Sequence, residues 1–313
     1  MTLIRHWDSP ASMHNAVVIA NPRGGRSRRK FDFTEVVMRL QRQGLSASLT
    51  ETTHAGHATE IARLAVSEGA DLVVVCGGDG TLREVTAGML GSDAAMLPLA
   101  TGTTNVIAAG LGLRGDPLSI IDQLDALEVR TIDVGLCGNR PFLMQASAGI
   151  DAMVMTEVRQ EMKQRFGMLA VAMTGLRCWL RYGFPEIRVS VDGVEHCCRG
   201  AIVASFPFYA GLFRLSPHSR ADDGQLEILL FTGRGRAAAA GFAVDLALGR
   251  HLQRRDVKLL NVTRMQFLAP DNLPLQIDGE GFWPTWPVEV SLSPLRLRVL
   301  CSPDAPLFRV GER

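Results

Sequence analysis

The chain has 313 residues, room for two domains of ordinary size, each with a substantial core. With 33 Lys and Arg against 32 Asp and Glu, it has no global field to attract nucleic acid, which is therefore not an expected partner. No apolar run reaches the roughly 18 residues of a membrane span. The six cysteines form no C-x-x-C pair and no signal peptide precedes them, so a cytoplasmic protein with reduced thiols is expected.

In chain order, Ala16 to Ala20 reads as an apolar strand running into NPRGGRS at 21–27. Phe33 to Gln43 is helical, Ser46 to Thr50 extended and Ala58 to Ser67 helical. Leu72, Val73, Val74 and Val75 form a mostly β-branched run, the mark of a strand buried on both faces. Leu97 to Ala100 is a further short strand, then TGTTN and a helical segment near Val106 to Ala109. This rhythm predicts an α/β N-terminal domain over 1–131, with a doubly wound, mostly parallel sheet. Its ligands would gather at the C-terminal strand ends, where loops 21–27, 77–81 and 101–105 converge. Beyond about residue 131 the strands become short and alternating. Ile187 to Val191 meets Asp192-Gly193, Leu226 to Phe231 follows Asp223-Gly224, and Leu275 to Ile277 and Val288 to Leu292 continue the pattern. A mainly antiparallel β-sandwich domain is expected over 132–295, interrupted by helical stretches at Thr156 to Leu180 and Arg236 to Leu248.

The segment LVVVCGGDGTLRE at 72–84 carries the chemistry. Gly77 and Gly78 lack a Cβ, can take positive φ, and let amide groups approach a polyanion. Thr81 to Glu84 reads as a capping box opening a helix, whose N-terminus favours phosphate. Asp79 beside a polyphosphate would be repelled unless a cation or donor intervened, so it reads as a Mg²⁺ ligand or a proton acceptor. Two basic groups, one around Arg23 and Arg26 and one spread over Lys163, Arg165, Arg177 and Arg181, suit phosphates or anionic head groups, or simply a solvated face. Other chemistries drop out. There is no G-x-x-x-x-G-K-[ST] loop and no H-R-D with D-F-G, and GLGLRG at 110–115 does not follow a strand. Ser147 in QASAG lacks the first glycine of a nucleophile elbow, and His54 and His57 lack a zinc pattern.

In chain order NPRGGRS, GGDGT, LPLATGTTN, TIDVG, SAGID, RADDGQLEI and IDGE together resemble the diacylglycerol kinase catalytic family, the bacterial lipid kinases related to sphingosine and ceramide kinases. The resemblance implies ATP- and Mg²⁺-dependent phosphorylation of a lipid hydroxyl, on diacylglycerol, phosphatidylglycerol, a sphingoid base or ceramide. Gly77, Gly78, Asp79, Gly80, Thr81, Leu82 and Arg83 would form the nucleotide loop, with Asn21, Thr52 and Thr103 as further cofactor contacts. Glu280 of IDGE would be the proton acceptor, sharing the catalytic role with Asp79. Asp223, with backbone oxygens of Arg220 and Gln225, would hold a second, structural Mg²⁺. The C-terminal segment from about 296 would return to the first domain. The lipid partner implies peripheral association with the inner membrane, and a homodimer stays open. Arg83 and Val106 depart from the family pattern, which commonly has Asn and Asp there. GGDGT is shared with NAD kinases, so a soluble-substrate kinase is one alternative and a degenerate lipid-binding protein another. Met168, Leu169, Val171, Ala172 and Met173 would line an acyl cleft or fill a core, and Trp283 and Trp286 would sit at a membrane-facing rim or pack inside.

Overall fold

The computed structural model describes residues 10–24, 31–102, 104–159, 162, 166–209, 211, 213–268 and 272–309. The chain forms two compact units: residues up to Ile132 together with Pro294–Arg309, and Asp133–Ser293.

The first unit runs β1 (Asn15–Ala20), α1 (Phe33–Arg42), β2 (Ser46–Glu51), α2 (His57–Ser67), β3 (Leu72–Gly77), α3 (Asp79–Met89), β4 (Ala95–Ala100), α4 (Val106–Gly110), α5 (Pro117–Asp122) and β5 (Glu128–Ile132). These strands pair in parallel in the order β2-β1-β3-β4. All six residues of β3 are buried, as its unbroken apolar run requires of a central parallel strand. Helix α1 begins where the Asp32 carboxylate accepts from the Thr34 amide. Helices α2 and α3 approach so closely that a Cβ on Gly88 would lie 2.4 Å from the Thr59 carbonyl oxygen. The Thr59 hydroxyl donates to the Glu84 carbonyl across the same contact. The sheet is completed from the far end of the chain. A strand at Leu297–Cys301 inserts between β4 and β5, parallel to β4 and antiparallel to β5.

The second unit runs β6 (Gly135–Cys137), β7 (Arg140–Phe142), β8 (Gln145–Ala148), α6 (Ile150–Glu157), α7 (Met168–Arg181), β9 (Ile187–Val191), β10 (Val194–Cys198), β11 (Gly200–Ala204), β12 (Phe208–Tyr209), β13 (Phe213–Arg214), β14 (Leu226–Phe231), α8 (Gly235–Ala247), β15 (Val257–Val262), β16 (Arg264–Phe267), β17 (Leu275–Ile277), β18 (Glu280–Phe282) and β19 (Val288–Leu292). The terminal strand of the first unit is then β20. Two antiparallel sheets, β10-β9-β16-β19-β6-β7 and β15-β14-β11-β8-β17-β18, share a core that includes Phe142, Phe267 and Ile228. Asp192 and Gly193 both have positive φ, the geometry of a two-residue hairpin turn. The expected fold class is therefore present. The single helical stretch expected from Thr156 is not: α6 starts earlier, at Ile150, and ends at Glu157, and α7 is a separate helix entered through Gly167 at φ +55°. Trp286 packs edge-on to Phe267 rather than at a rim, whereas Trp283 is exposed.

Candidate active site

The loops after β1, β3 and β4 are neighbours because their strands are, and side chains tie them together. The Asn21 amide donates to the Thr81 hydroxyl at 3.0 Å, and its oxygen accepts from the Arg23 amide. Asn105, at φ +50°, closes the third loop by bonding both the N–H and the carbonyl of Gly102. Gly78 and Gly102 meet backbone to backbone, for a Cβ on Gly102 would lie 2.4 Å from the Gly78 Cα, and one on Gly77 would lie 2.6 Å from the Thr81 Cβ. Neither Gly77 nor Gly78 adopts positive φ. The expectation of a left-handed turn is thus corrected: Gly77 and Gly102 exclude a side chain for want of space, while a Cβ on Gly78 would come no nearer than 3.4 Å to the Gly102 backbone.

Helix α3 begins at Asp79, three residues before the capping box would place it, and Gly78 caps it with no side-chain bond. The amides of that first turn have no intrahelical acceptor, which makes the helix start a place for an anion. Thr81 serves the tie to Asn21 and opens no box. Leu82 follows Thr81 on the same turn. Its side chain is buried in the core and its amide donates to the Gly78 carbonyl. Arg83 is half-buried on the same turn and Gly80 precedes it there. Thr52 is buried beside the Asn21 loop, its amide donating to the Ala20 carbonyl, and Thr103 lies outside the described residues.

Asp79, which the sequence offers as a Mg²⁺ ligand or a proton acceptor, is buried among hydrogen-bond donors. Only 8% exposed, it accepts from the Thr104 hydroxyl and the Val106 amide on Oδ2, and from the Ile107 amide on Oδ1. It supplies the cap that α4 otherwise lacks and pins the third loop to the second. The backbone of Val106 thereby makes a polar contact that its side chain cannot.

In the second unit, Asp278 (φ +48°) and Gly279 (φ +82°) turn β17 into β18, placing Glu280 at the exposed start of that strand. The turn is held from below. The Asp278 carboxylate accepts from the amides of Leu143, Met144 and Gln145 at 2.8 to 2.9 Å, and the Gln276 oxygen accepts from the Gly279 amide. A Cβ on Gly281 would strike the Thr156 amide at 2.4 Å, so β18 lies hard against α6 there. Because strand neighbours alternate, Glu280 faces the other way.

Beside this turn lies a polar chain that sequence reasoning passed over. The Gln276 amide donates to the Ser147 hydroxyl at 2.7 Å, Ser147 donates to Asp151, and the Tyr209 hydroxyl reaches Asp151 at 3.5 Å. Burial pushes the Asp151 carboxyl above the ordinary range, against the donors that favour its ionised form. Asp151 and Tyr209 are also in the wall of a cavity of about 560 Å³ over the face of β11 and β14, roofed by α6, α7 and α8 and otherwise almost wholly apolar. Its α7 lining is Gly175, Leu176 and Trp179. Leu169 and Met173, expected to line such a cleft or fill a core, are exposed instead.

The acidic turn before β14 is well defined. The Asp223 carboxylate accepts from the amides of Arg220 and Gln225, Arg220 grips Asp222 with two guanidinium bonds, and the Gly224 amide donates to Asp133 at 2.6 Å. Burial raises the Asp223 carboxyl, the two amides oppose the rise, and the Asp133 and Asp222 charges add to it. Among the described residues no group of three or more His, Cys, Asp or Glu side chains is placed to hold a metal.

The diacylglycerol kinase catalytic domain family matches residues 15–137, and the YegS C-terminal NAD kinase beta sandwich-like domain family matches residues 144–301, more than half the chain. The chain belongs to the diacylglycerol kinase catalytic family. Membership makes it a kinase. A diacylglycerol kinase of Bacillus subtilis (strain 168) is 27% identical over 86% of this chain and 90% of its own length. One of Staphylococcus carnosus (strain TM300) is 27% identical over 85% and 88%. Two crystal structures from Bacillus anthracis (strain Sterne) share the fold, at TM-scores of 0.76 and 0.68 with 20% and 17% identity. Each covers 94% of this chain, and 97% and 99% of their own chains are covered; the second is of a diacylglycerol kinase. Within this diacylglycerol kinase family chain, GGDGT, the GTTN loop and NPRG form one braced cradle, and the IDGE and SAGID motifs meet around Gln276. Asp278 and Asp151 could have been singled out, since each stands inside a quoted motif, but an acid that caps backbone amides and one that titrates look alike in sequence.

Proposed function

We propose that this kinase transfers the γ-phosphoryl group of ATP to a lipid hydroxyl, with diacylglycerol the first acceptor to test. The observation that carries the reading is the apolar cavity of about 560 Å³ with its polar end at Asp151 and Tyr209, which suits acyl chains and one hydroxylated head better than a polar nucleotide acceptor. The triphosphate would lie against the uncapped start of α3, where the amides of Gly80 and Thr81 are oriented and Gly77, Gly78 and Gly102 leave no Cβ in the way. Arg83 would add positive charge on that turn.

Among the described residues no three-acid cage stands ready, so the fit is to Mg²⁺ carried largely on the nucleotide phosphates, with Asp79, bonded to Thr104, Val106 and Ile107, bracing the loop beside it. Bound there, Mg²⁺ would neutralise charge developing on the transferred group. Glu280 takes the proton as the acceptor oxygen attacks the γ-phosphorus, the bond to the β-bridging oxygen breaks, and ADP leaves. The Asp223 turn, with carbonyls of Arg220 and Gln225, suits a second, structural Mg²⁺, since crowding by Asp133 and Asp222 is what a cation would relieve.

The test is phosphate transfer from labelled ATP with Mg²⁺ to micelles of diacylglycerol, phosphatidylglycerol, sphingosine or ceramide, with NAD alongside. Label in a lipid product supports the reading. Transfer to NAD alone would replace it with a soluble-substrate kinase, and no transfer at all would favour a lipid-binding protein that has lost catalysis.

A further inference from the structure

Helix α7 carries an apolar face left exposed among the described residues of the second unit. Leu169, Met173, Leu176 and Leu180 are 60%, 63%, 61% and 56% exposed. At about 100° per residue they fall within an arc of roughly 60°, a continuous stripe along the helix. Large side chains so exposed and so aligned are unusual on a surface bathed only by water. Helix α8 adds exposed apolar side chains of its own, Val244 at 57%, and Leu248 just beyond it at 59%. The two helices are stapled where α7 ends and α8 begins, since the Arg236 guanidinium donates to the Trp179 and Leu180 carbonyls and the Trp179 indole donates to the Arg236 carbonyl.

Charge decides what covers the face. From Phe166 to Arg181 there is no Asp or Glu, while Arg177 and Arg181 are exposed beside the stripe. Near the exposed end of α8, Arg250 and Arg255 are also exposed, and the acid there, Asp245, is engaged by Arg254. A long apolar strip edged by arginines matches the boundary between acyl chains and anionic head groups. Leu176 belongs to both the stripe and the wall of the cavity, so the patch runs up to the cavity lip.

We propose that the exposed stripe of α7, with the arginines beside it and the neighbouring apolar residues of α8, docks this chain on an anionic lipid bilayer. This adds to the lipid-kinase reading the surface by which acceptor would enter the cavity, but docking is measured without turnover, so the two readings fail separately.

The full chain is sedimented with vesicles of phosphatidylcholine alone or mixed with phosphatidylglycerol, as wild type and as L169E/M173E. Both substituted positions are exposed, lie outside the cavity wall and accept a good helix former. Wild type should bind the mixed vesicles, bind neutral ones much less and weaken with added salt. The double variant should bind about tenfold or more weakly, having lost apolar area and gained repulsion, with unchanged thermal unfolding and unchanged turnover of a short-chain acceptor dissolved as monomer. Wild type that ignores anionic vesicles, or a double variant that binds as wild type does, overturns the proposal. So does light scattering that shows a wild-type dimer dispersed by L169E/M173E with no vesicle binding, which would give the face to a second copy. Absent turnover with intact vesicle binding would count against the kinase reading alone.

Discussion

Asp79 shows how far a motif can be read and where it misleads. GGDGT marks the loop, yet its acid spends both oxygens on Thr104, Val106 and Ile107. Sequence reports the residue type and its spacing. It does not report that a helix starting 27 residues later in the chain lacks a cap of its own. Asp79→Ala leaves three donors without their acceptor, and each such loss costs about 1–3 kcal/mol. Denaturant unfolding of the first unit should shift to lower concentration, and ATP-analogue affinity should fall with it as the third loop loses its tie. Unchanged stability with lost affinity would return Asp79 to a direct ligand role. Gly102→Ala tests the same cradle from the other side. Its new Cβ would meet backbone, which cannot yield as a flexible side chain would, so turnover should drop on the order of 10²-fold from displaced loops.

Individual elements were legible where a local rule governs them. The β3 run, the Asp192-Gly193 turn and the α1 periodicity depend on neighbours in sequence, and all appear as expected. The break between α6 and α7 was missed because Val158, where α6 ends, is no helix breaker and Gly167 is the only glycine or proline before α7. The Ser147, Asp151 and Gln276 chain was missed because it joins three elements. Its pH behaviour is a test. Burial holds the folded Asp151 carboxyl above the ordinary value while the unfolded one stays near about 3.9. Above that pH the folded state keeps a proton that the unfolded state has released, so this group's stabilisation is full below about pH 4 and is lost as pH rises through the raised value. Asp151→Asn should flatten that fall in a series of unfolding midpoints against pH; an unaltered slope would show that Asp151 is not its source. The acidic turn before β14 gives a second test. Mg²⁺ should raise the unfolding temperature of the wild type, and Asp223→Asn should lose most of that rise. An equal rise in both would remove Asp223 from the metal site.

For the whole molecule, the first unit is completed by a strand encoded about 165 residues after the rest of its sheet, at Leu297–Cys301 beside Glu128–Ile132. A strand's local pattern does not name its partner, so pattern alone could not have put β20 between β4 and β5. A chain ending at Ser293 should therefore lose the cooperative unfolding of the first unit by calorimetry; retention would mean that β20 is dispensable. At the centre of the proposed function stands Glu280 as the acceptor of the lipid hydroxyl's proton. The most direct test is γ-phosphoryl transfer from ATP to diacylglycerol by wild type and Glu280→Gln, with ATP-analogue binding measured on both. Nucleotide binding should be intact in both proteins, and kcat lower by about 10²- to 10⁴-fold in Glu280→Gln. Full transfer by Glu280→Gln, or no transfer by the wild type, would contradict that role.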